Sequence, residues 1–486
     1  MLACISTLVT TAATWVATAQ GPYVKAAARP SGRLPSPTSS FANLIELDGR
    51  PQDLQARLHQ VPESFWQERS KAGVRMALMN VVRAFFLAVR LVIWRLVGMV
   101  DTTYVVARNL ASPRNRPIFF SDGWGDLNVI RDLFSETCGD LHYSDGRVRR
   151  HLEEATTLRW EEQDEPSDDK LSDVLRVRRA SFRSPLHKLM PSECGTCTLR
   201  FCWPASLESF DPPWSASGSA STPNGIVFLL PATGEEDASE RLWIAKSLAE
   251  RSGLCSVIVD APYYGERRPA SQEKHYIRTV ADYLIQSAAV TFEASYIMRA
   301  CAHQWPGAPL CLSGFSWGGS MSGVVGIVGS QCLKPTCSTP SVDGGGERPM
   351  NPITAVTYAG SPTAAVLADG VLAADIDWDA LRTDDEHRDE TNQKLLQELK
   401  SMHLSSFTEA VVASGGAHKA LQATHAVCFR DDGFVRTEYA DELYRLLKSC
   451  CRPEACVQQW RGGGHAAAYL TKSVALPAAI ETALKY

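Results

Sequence analysis

The stretch Leu310-Cys311-Leu312-Ser313-Gly314-Phe315-Ser316-Trp317-Gly318-Gly319 decides the fold. Its apolar start, 310–313, reads as a short strand, and the small residues over 316–329 read as a helix. Between them, Gly314 to Gly318 fit G-x-S-x-G, the pattern of a nucleophile elbow. A serine at the tip of so sharp a strand-to-helix turn takes a strained backbone conformation. The positions two before and two after it, Gly314 and Gly318, must then carry no side chain. The turn also opens a helix, whose first N–H groups favour a developing oxyanion. Gly and Ser are common, so the motif alone is weak; the flanking strand and helix give it meaning. Ser316 is the candidate nucleophile.

Outward from this turn the chain is regular. Residues 225–230, 256–260, 353–358, 424–429 and 455–460 read as strands. Residues 236–252, 275–304, 437–447 and 466–484 have helical spacing. Such alternation predicts parallel β-α-β units, hence an α/β fold with a mostly parallel sheet and helices on both faces. The strands are nearly all apolar rather than alternating, as expected for a sheet covered on both sides. The catalytic region is expected over 176–486, with a Ser-, Pro- and Gly-rich loop at 206–223. Residues 46–175 are expected to form a mainly helical N-terminal region, with an acidic linker or solvated face at 152–173.

A nucleophilic serine needs a base and an acid, which in this fold follow it in the order Asp then His. Asp431 and Asp432 come just after the strand at 424–429. His465 comes just after the strand at 455–460, behind Gly462-Gly463-Gly464, a run that lets a loop carry the imidazole back over the sheet. Asp432 and His465 are the candidates, with Asp431 the alternative acid. His387, His403, His418 and His425 lie in polar or helical stretches or ahead of a strand and suit solvated or structural roles. For the oxyanion hole the pattern predicts the Trp317 N–H, with a second from Thr233, or next Gly234, in the loop after strand 225–230.

Composition narrows the function. Among 486 residues, 45% are hydrophobic and 21% charged, which suits a globular core. A net charge of -5 supplies no basic excess to neutralise phosphates, so nucleic acid is not expected as a partner. Of the 14 cysteines, Cys194 and Cys197 form a C-x-x-C pair with no matching second pair. Neither a metal site nor a cofactor is therefore expected. Cys255, Cys311 and Cys428 lie in apolar runs and read as core residues, whereas Cys450, Cys451 and Cys456 are candidates for disulfide formation.

The N-terminus reads differently. No acidic residue precedes Glu46, while Lys25, Arg29 and Arg33 lie among many Ser, Thr and Ala. Residues 1–45 thus look like a targeting leader for an organelle, the secretory pathway or a plastid, the apolar front ending in Ala17-Thr18-Ala19. A second apolar stretch, 76–100, is interrupted by Arg83, Arg90 and Arg95. Central arginines cost about 2.5 to 3.5 kcal/mol each on insertion scales, which disfavours a spanning helix. An amphipathic helix is expected, packed on the catalytic region or lying at a membrane surface.

Several blocks resemble one family. Asp260-Ala261-Pro262-Tyr263-Tyr264-Gly265, with Arg267 and Pro269, the elbow at Ser316, and Gly463-Gly464-His465 through Ala468-Tyr469-Leu470 are similar to the α/β-hydrolase-domain-containing protein eighteen family. Phe182-Arg183-Ser184-Pro185 and Gly123-Trp124-Gly125 look like its upstream signatures. The resemblance implies an α/β-hydrolase fold and a Ser316-Asp432-His465 hydrolase acting on acyl esters, with lipid substrates at an organellar membrane, the mitochondrion first. Trp317 stands where the family usually has methionine, Ala232 replaces a glycine, and Phe434-Val435-Arg436 replaces an aromatic-aliphatic-proline run. Residues 361–423 fall where this fold inserts a lid, with Leu404, Phe407, Val411 and Val412 as a candidate apolar underside. A thioesterase or peptidase on the same fold, or a hydrolase-like protein without turnover, are the alternatives.

Overall fold

The computed structural model describes residue 101 and residues 118–131, 163–164, 173–207, 222–333, 351–362, 366–382, 388–400 and 420–485. The chain divides into two units, Met1–Leu87 and Ala88–Tyr486, and all described residues belong to the second. The expected leader, the helix near 76–100 and the lid underside at Leu404 to Val412 lie outside the described residues.

Nine strands form one sheet: β1 (Gln163–Asp164), β2 (Leu175–Arg183), β3 (Thr196–Pro204), β4 (Ile226–Leu230), β5 (Cys255–Val259), β6 (Leu310–Phe315), β7 (Ile353–Tyr358), β8 (Ala423–Phe429) and β9 (Cys456–Arg461). Their order is β1-β2-β3-β5-β4-β6-β7-β8-β9. From β5 to β9 every pairing is parallel, while β1, β2, β3 and β5 pair antiparallel. This antiparallel edge is more than the α-β alternation predicts. Its cause is visible in β2, where Val177, Arg179 and Ser181 are half-buried while Ala180 and Phe182 are buried; an antiparallel sheet tolerates one wetter face. β1 falls inside the stretch expected as a linker.

The helices are α1 (Ser239–Ser252), α2 (Val280–Gln304), α3 (Trp317–Cys332), α4 (Val366–Asp369), α5 (Trp378–Leu381), α6 (Arg388–Lys400), α7 (Thr437–Ser449) and α8 (His465–Ala483). α2 starts five positions later than its spacing suggests (280 − 275), because the Thr279 hydroxyl accepts the Asp282 N–H at 3.0 Å and caps it. Period-two alternation divides the core. Ile226, Phe228 and Leu230 of β4 face one side with Leu284 of α2 and Val325 of α3. Val227 and Leu229 face the other with Leu248 of α1 and Ile480 of α8. The sheet is thus covered on both faces.

The Asp260-to-Arg267 block builds a buried hub. Arg267, 2% exposed, forms a two-pronged pair with the fully buried Glu293 of α2, at 2.7 and 2.8 Å. The same guanidinium donates to the carbonyls of Asp260 (2.6 Å) and Cys194 (2.7 Å). It therefore ties β5, α2 and the start of β3 together. No described helix is long and apolar enough to cross a membrane.

Candidate active site

β6 ends at Phe315 and α3 begins at Trp317, so Ser316 is the single residue of the turn. Its backbone sits at φ 57, ψ -118, a conformation rare for any residue with a side chain. The glycines explain how the turn fits. A β-carbon on Gly314 would stand 2.6 Å from the Gly318 carbonyl carbon, and one on Gly318 would stand 2.6 Å from the Leu230 oxygen. Both contacts are with backbone, which cannot move aside, so the elbow requires hydrogen at both positions.

Ser316 Oγ lies 2.9 Å from His465 Nε2, and His465 Nδ1 lies 2.8 Å from Asp432 Oδ2. An ionised carboxylate only accepts, so the proton belongs on Nδ1, leaving Nε2 as the acceptor facing the serine hydroxyl. Asp432 Oδ1 accepts the N–H groups of Phe434 and Val435, each at 2.8 Å. The loop after β8 thereby fixes the carboxylate's orientation. Asp431 points elsewhere, its Oδ2 accepting the Gly463 N–H at 3.1 Å. The Asp pair left open by spacing is thus divided: Asp432 meets the imidazole and Asp431 holds the loop that carries it.

The imidazole is flanked by two aromatic rings. Phe434 stacks at 4.6 Å and Phe315 tilts across it at 4.9 Å. Its position in the chain gave Phe315 away only as the residue before the serine, and Phe434 only as a departure from a family pattern. Both limit the ring's freedom to turn away from the serine, through contacts worth about 0.5 to 1.5 kcal/mol for an aromatic pair.

A cleft open to solvent runs past Ser316. Trp317, Met321 and Val324 of α3, Tyr283 of α2, Val366 and Leu367 of α4, Leu372, Phe434 and Val435 make its wall largely apolar. Trp317 is 7% exposed and packs against Tyr264 and Tyr283, with centroids at 6.3 and 6.5 Å. Burial pushes both phenols up, so they stay neutral. Thr233 lines the cleft with Ser316 and Trp317, whereas Gly234 lies against the His275 ring, 3.0 Å from its would-be β-carbon. The neighbouring Ala232 N–H is committed to Glu235, at 2.8 Å.

The insertion after β7 forms one side of the cleft and is bonded to the acid loop. Val371 N–H donates to the Gly433 carbonyl at 3.2 Å. Tyr439 donates to Asp369 at 2.9 Å, and Arg436 pairs with the same carboxylate at 3.2 Å. Further along, the insertion is helical over α5 and α6. Away from the site, burial pushes the Cys194 thiol up to about 12 and Cys197 well above its ordinary value, so both stay protonated. Cys255, Cys311 and Cys428 are buried, as their apolar runs predict. His425 is buried within β8, which β7 separates from the strand that leads to Ser316. Among the described residues no group of three or more His, Cys, Asp or Glu side chains is arranged to hold a metal ion.

Sheet order, antiparallel edge and elbow define an α/β-hydrolase-fold protein. The family model "alpha/beta hydrolase domain containing 18" matches residues 117–415, more than half of the 486-residue chain, and the chain belongs to that family. Membership of a hydrolase family supports a hydrolase. Solved structures similar to the chain include the acetyl xylan esterase from Paenibacillus sp. R4, 11% identical with a TM-score of 0.41 over 67% of this chain and 89% of that one. A thermostable esterase from Pseudomonas putida ECU1011 is 13% identical with a TM-score of 0.37, over 69% and 86% of the two chains. A cold-adapted esterase from an Arctic intertidal metagenomic library is 14% identical with a TM-score of 0.36, over 66% and 100%.

Proposed function

We propose that this protein is a serine hydrolase that cleaves carboxylic esters, lipid acyl esters foremost, through Ser316, His465 and Asp432. The observation that carries the reading is the unbroken chain from Ser316 Oγ to His465 Nε2 (2.9 Å) and from His465 Nδ1 to Asp432 (2.8 Å), on a serine held at φ 57. His465 takes the serine proton as Oγ attacks the acyl carbon. The oxyanion that forms receives the Trp317 N–H, and in this reading the Thr233 N–H as well. The tetrahedral intermediate collapses, the alcohol leaves with the proton from His465, and an acyl-Ser316 ester remains. Water, deprotonated by His465, then attacks that ester and releases the acid. Asp432 keeps the proton on Nδ1 and stabilises the imidazolium. The apolar wall from Tyr283 to Val435 supports an acyl chain as the group lodged beside the serine.

The test is activity-based. Purified protein should label with a fluorophosphonate, and Ser316→Ala should abolish both labelling and turnover of p-nitrophenyl esters and of phospholipid in mixed micelles. Faster turnover of a matched thioester or peptide moves the substrate class. No labelling, together with ester turnover unchanged in Ser316→Ala, defeats the proposal. The acid-free basic leader also supports an organellar destination, the mitochondrion first; fractionation of cells expressing the tagged full-length chain tests it, and a purely cytosolic tag defeats it.

A further inference from the structure

α8 begins at His465 without a cap of its own. Its N-cap position is Gly464, which has no side chain to accept the first N–H groups of the helix. Those groups are satisfied from far away in the chain. Asp101, helical in backbone and 2% exposed, accepts the His465 N–H on Oδ2 at 2.8 Å and the Ala466 N–H on Oδ1 at 3.0 Å. Its Oδ2 also faces the Gly433 N–H at 3.3 Å. One buried carboxylate thus joins the loop that carries His465 to the loop that carries Asp432.

Gly464 is shaped by this arrangement. A β-carbon there would collide with Asp101 Oδ2 and stand 2.8 Å from the Asp431 carbonyl oxygen. A local Ser or Asp cap, the usual solution, is therefore sterically closed. The loop itself, Gly462-Gly463-Gly464, has little conformational preference of its own. Gly463 is held by Asp431 through two bonds of 3.1 Å, and beyond it the anchoring passes to Asp101.

We infer that Asp101 is a positioning residue: it sets His465 against Ser316 and Asp432, and it makes the working geometry depend on the segment of chain that bears residue 101. This rests on the serine-hydrolase reading of the same site. Asp101 is not among the residues lining the cleft and acts through the N–H groups of His465, Ala466 and Gly433. It lies before the 117–415 span of the family match, and in the chain it directly follows the apolar stretch 76–100.

The experiment compares Asp101→Asn and Asp101→Ala in the full chain with wild type and with Asn351→Ala. Asn351 is a buried bracing side chain on the Trp305 and Ala308 carbonyls, remote from Ser316. On a p-nitrophenyl ester, Asp101→Ala should lower kcat by about 10- to 100-fold with KM held within about twofold. Asp101→Asn, which keeps one acceptor oxygen, should fall between. Asn351→Ala should lose thermal stability and keep kcat. Hydrogen exchange read by mass spectrometry should quicken in the peptides spanning Gly433 and His465 of the Asp101 variants and not in that spanning Asn351. The inference is overturned if the Asp101 variants, like Asn351→Ala, lose thermal stability and keep kcat, if the loss appears in KM alone, or if exchange at Gly433 and His465 is unchanged. Should wild type show neither labelling nor turnover, the serine-hydrolase reading fails by itself, and the exchange measurement still decides whether Asp101 orders the two loops.

Discussion

Replacing Asp432 by asparagine separates the chemistry of the acid from its architecture. Asp432 Oδ1 accepts two N–H groups, from Phe434 and Val435, both at 2.8 Å. The amide of the variant must place its oxygen there, because its NH2 would otherwise face two donors. The NH2 is then left against His465 Nδ1 and donates to it. The imidazole proton is driven to Nε2, which can no longer accept from Ser316. The tautomer is wrong while every other contact survives. A swap of this kind in a Ser-His-Asp triad costs about 10⁴ in kcat, or about 5.4 kcal/mol of barrier. KM should hold, since Asp432 is 8% exposed behind the imidazole, and the melting temperature should change little. The assay is initial-rate kinetics on a p-nitrophenyl ester at neutral pH, with fluorophosphonate labelling of Ser316 as a second readout. Asp431→Asn is the control: its amide oxygen still serves the Gly463 N–H, so kcat should fall by no more than about threefold. A kcat for Asp432→Asn within tenfold of wild type, or an equal loss in Asp431→Asn, would refute the tautomer argument.

Three further outcomes are expected. Trp317→Met should open the cleft wall that the indole forms with Tyr264 and Tyr283, and raise the kcat/KM ratio of an octanoyl over an acetyl ester by about tenfold; an unchanged ratio means the acyl chain does not pass there. Glu293→Ala should cost about 3 to 5 kcal/mol in urea unfolding, because Arg267 stays charged and buried without its partner; the double change Arg267→Met with Glu293→Leu should recover most of it. Burial holds the His425 imidazole below its usual 6.5. The unfolded chain therefore binds the proton first as pH falls, so stability is full above about 6.5 and declines as pH drops through the folded value. Urea midpoints at about pH 7 and pH 5 should show a smaller drop for His425→Asn than for wild type, and equal drops would put the pH sensitivity elsewhere.

The parallel half of the fold was legible because buried parallel strands are short, apolar and separated by helical spacing; β4 to β9 lie within a residue or two of where the pattern puts them. The antiparallel edge was not, since β2 and β3 carry mixed polar residues whose pairing depends on neighbours rather than on their own period. The three residues Ser316, Asp432 and His465 could be found from their places at strand ends, and the order of the strands brings those ends together. The choice between Asp431 and Asp432 needed side-chain directions, which a turn of two adjacent acids conceals. Asp101 left only a faint signal, an acid at the end of an apolar run. A carboxylate that caps a helix 364 positions away has no local pattern to betray it.

The bonds between the insertion and the acid loop have a consequence for how this protein can change. The segment that lines the cleft beside Ser316, through Val366 and Leu372, also grips Gly433 and, through Asp369, Tyr439 and Arg436. In many enzymes of modular design a surface insertion can drift or be exchanged while the reactive centre stands still. Here a new insertion brings a new grip on residues one and more beyond Asp432, so a change of clientele arrives together with a change of speed. Libraries that vary residues 366–372 should therefore be screened jointly with 433–439, because gains found in either set alone will be masked by its partner.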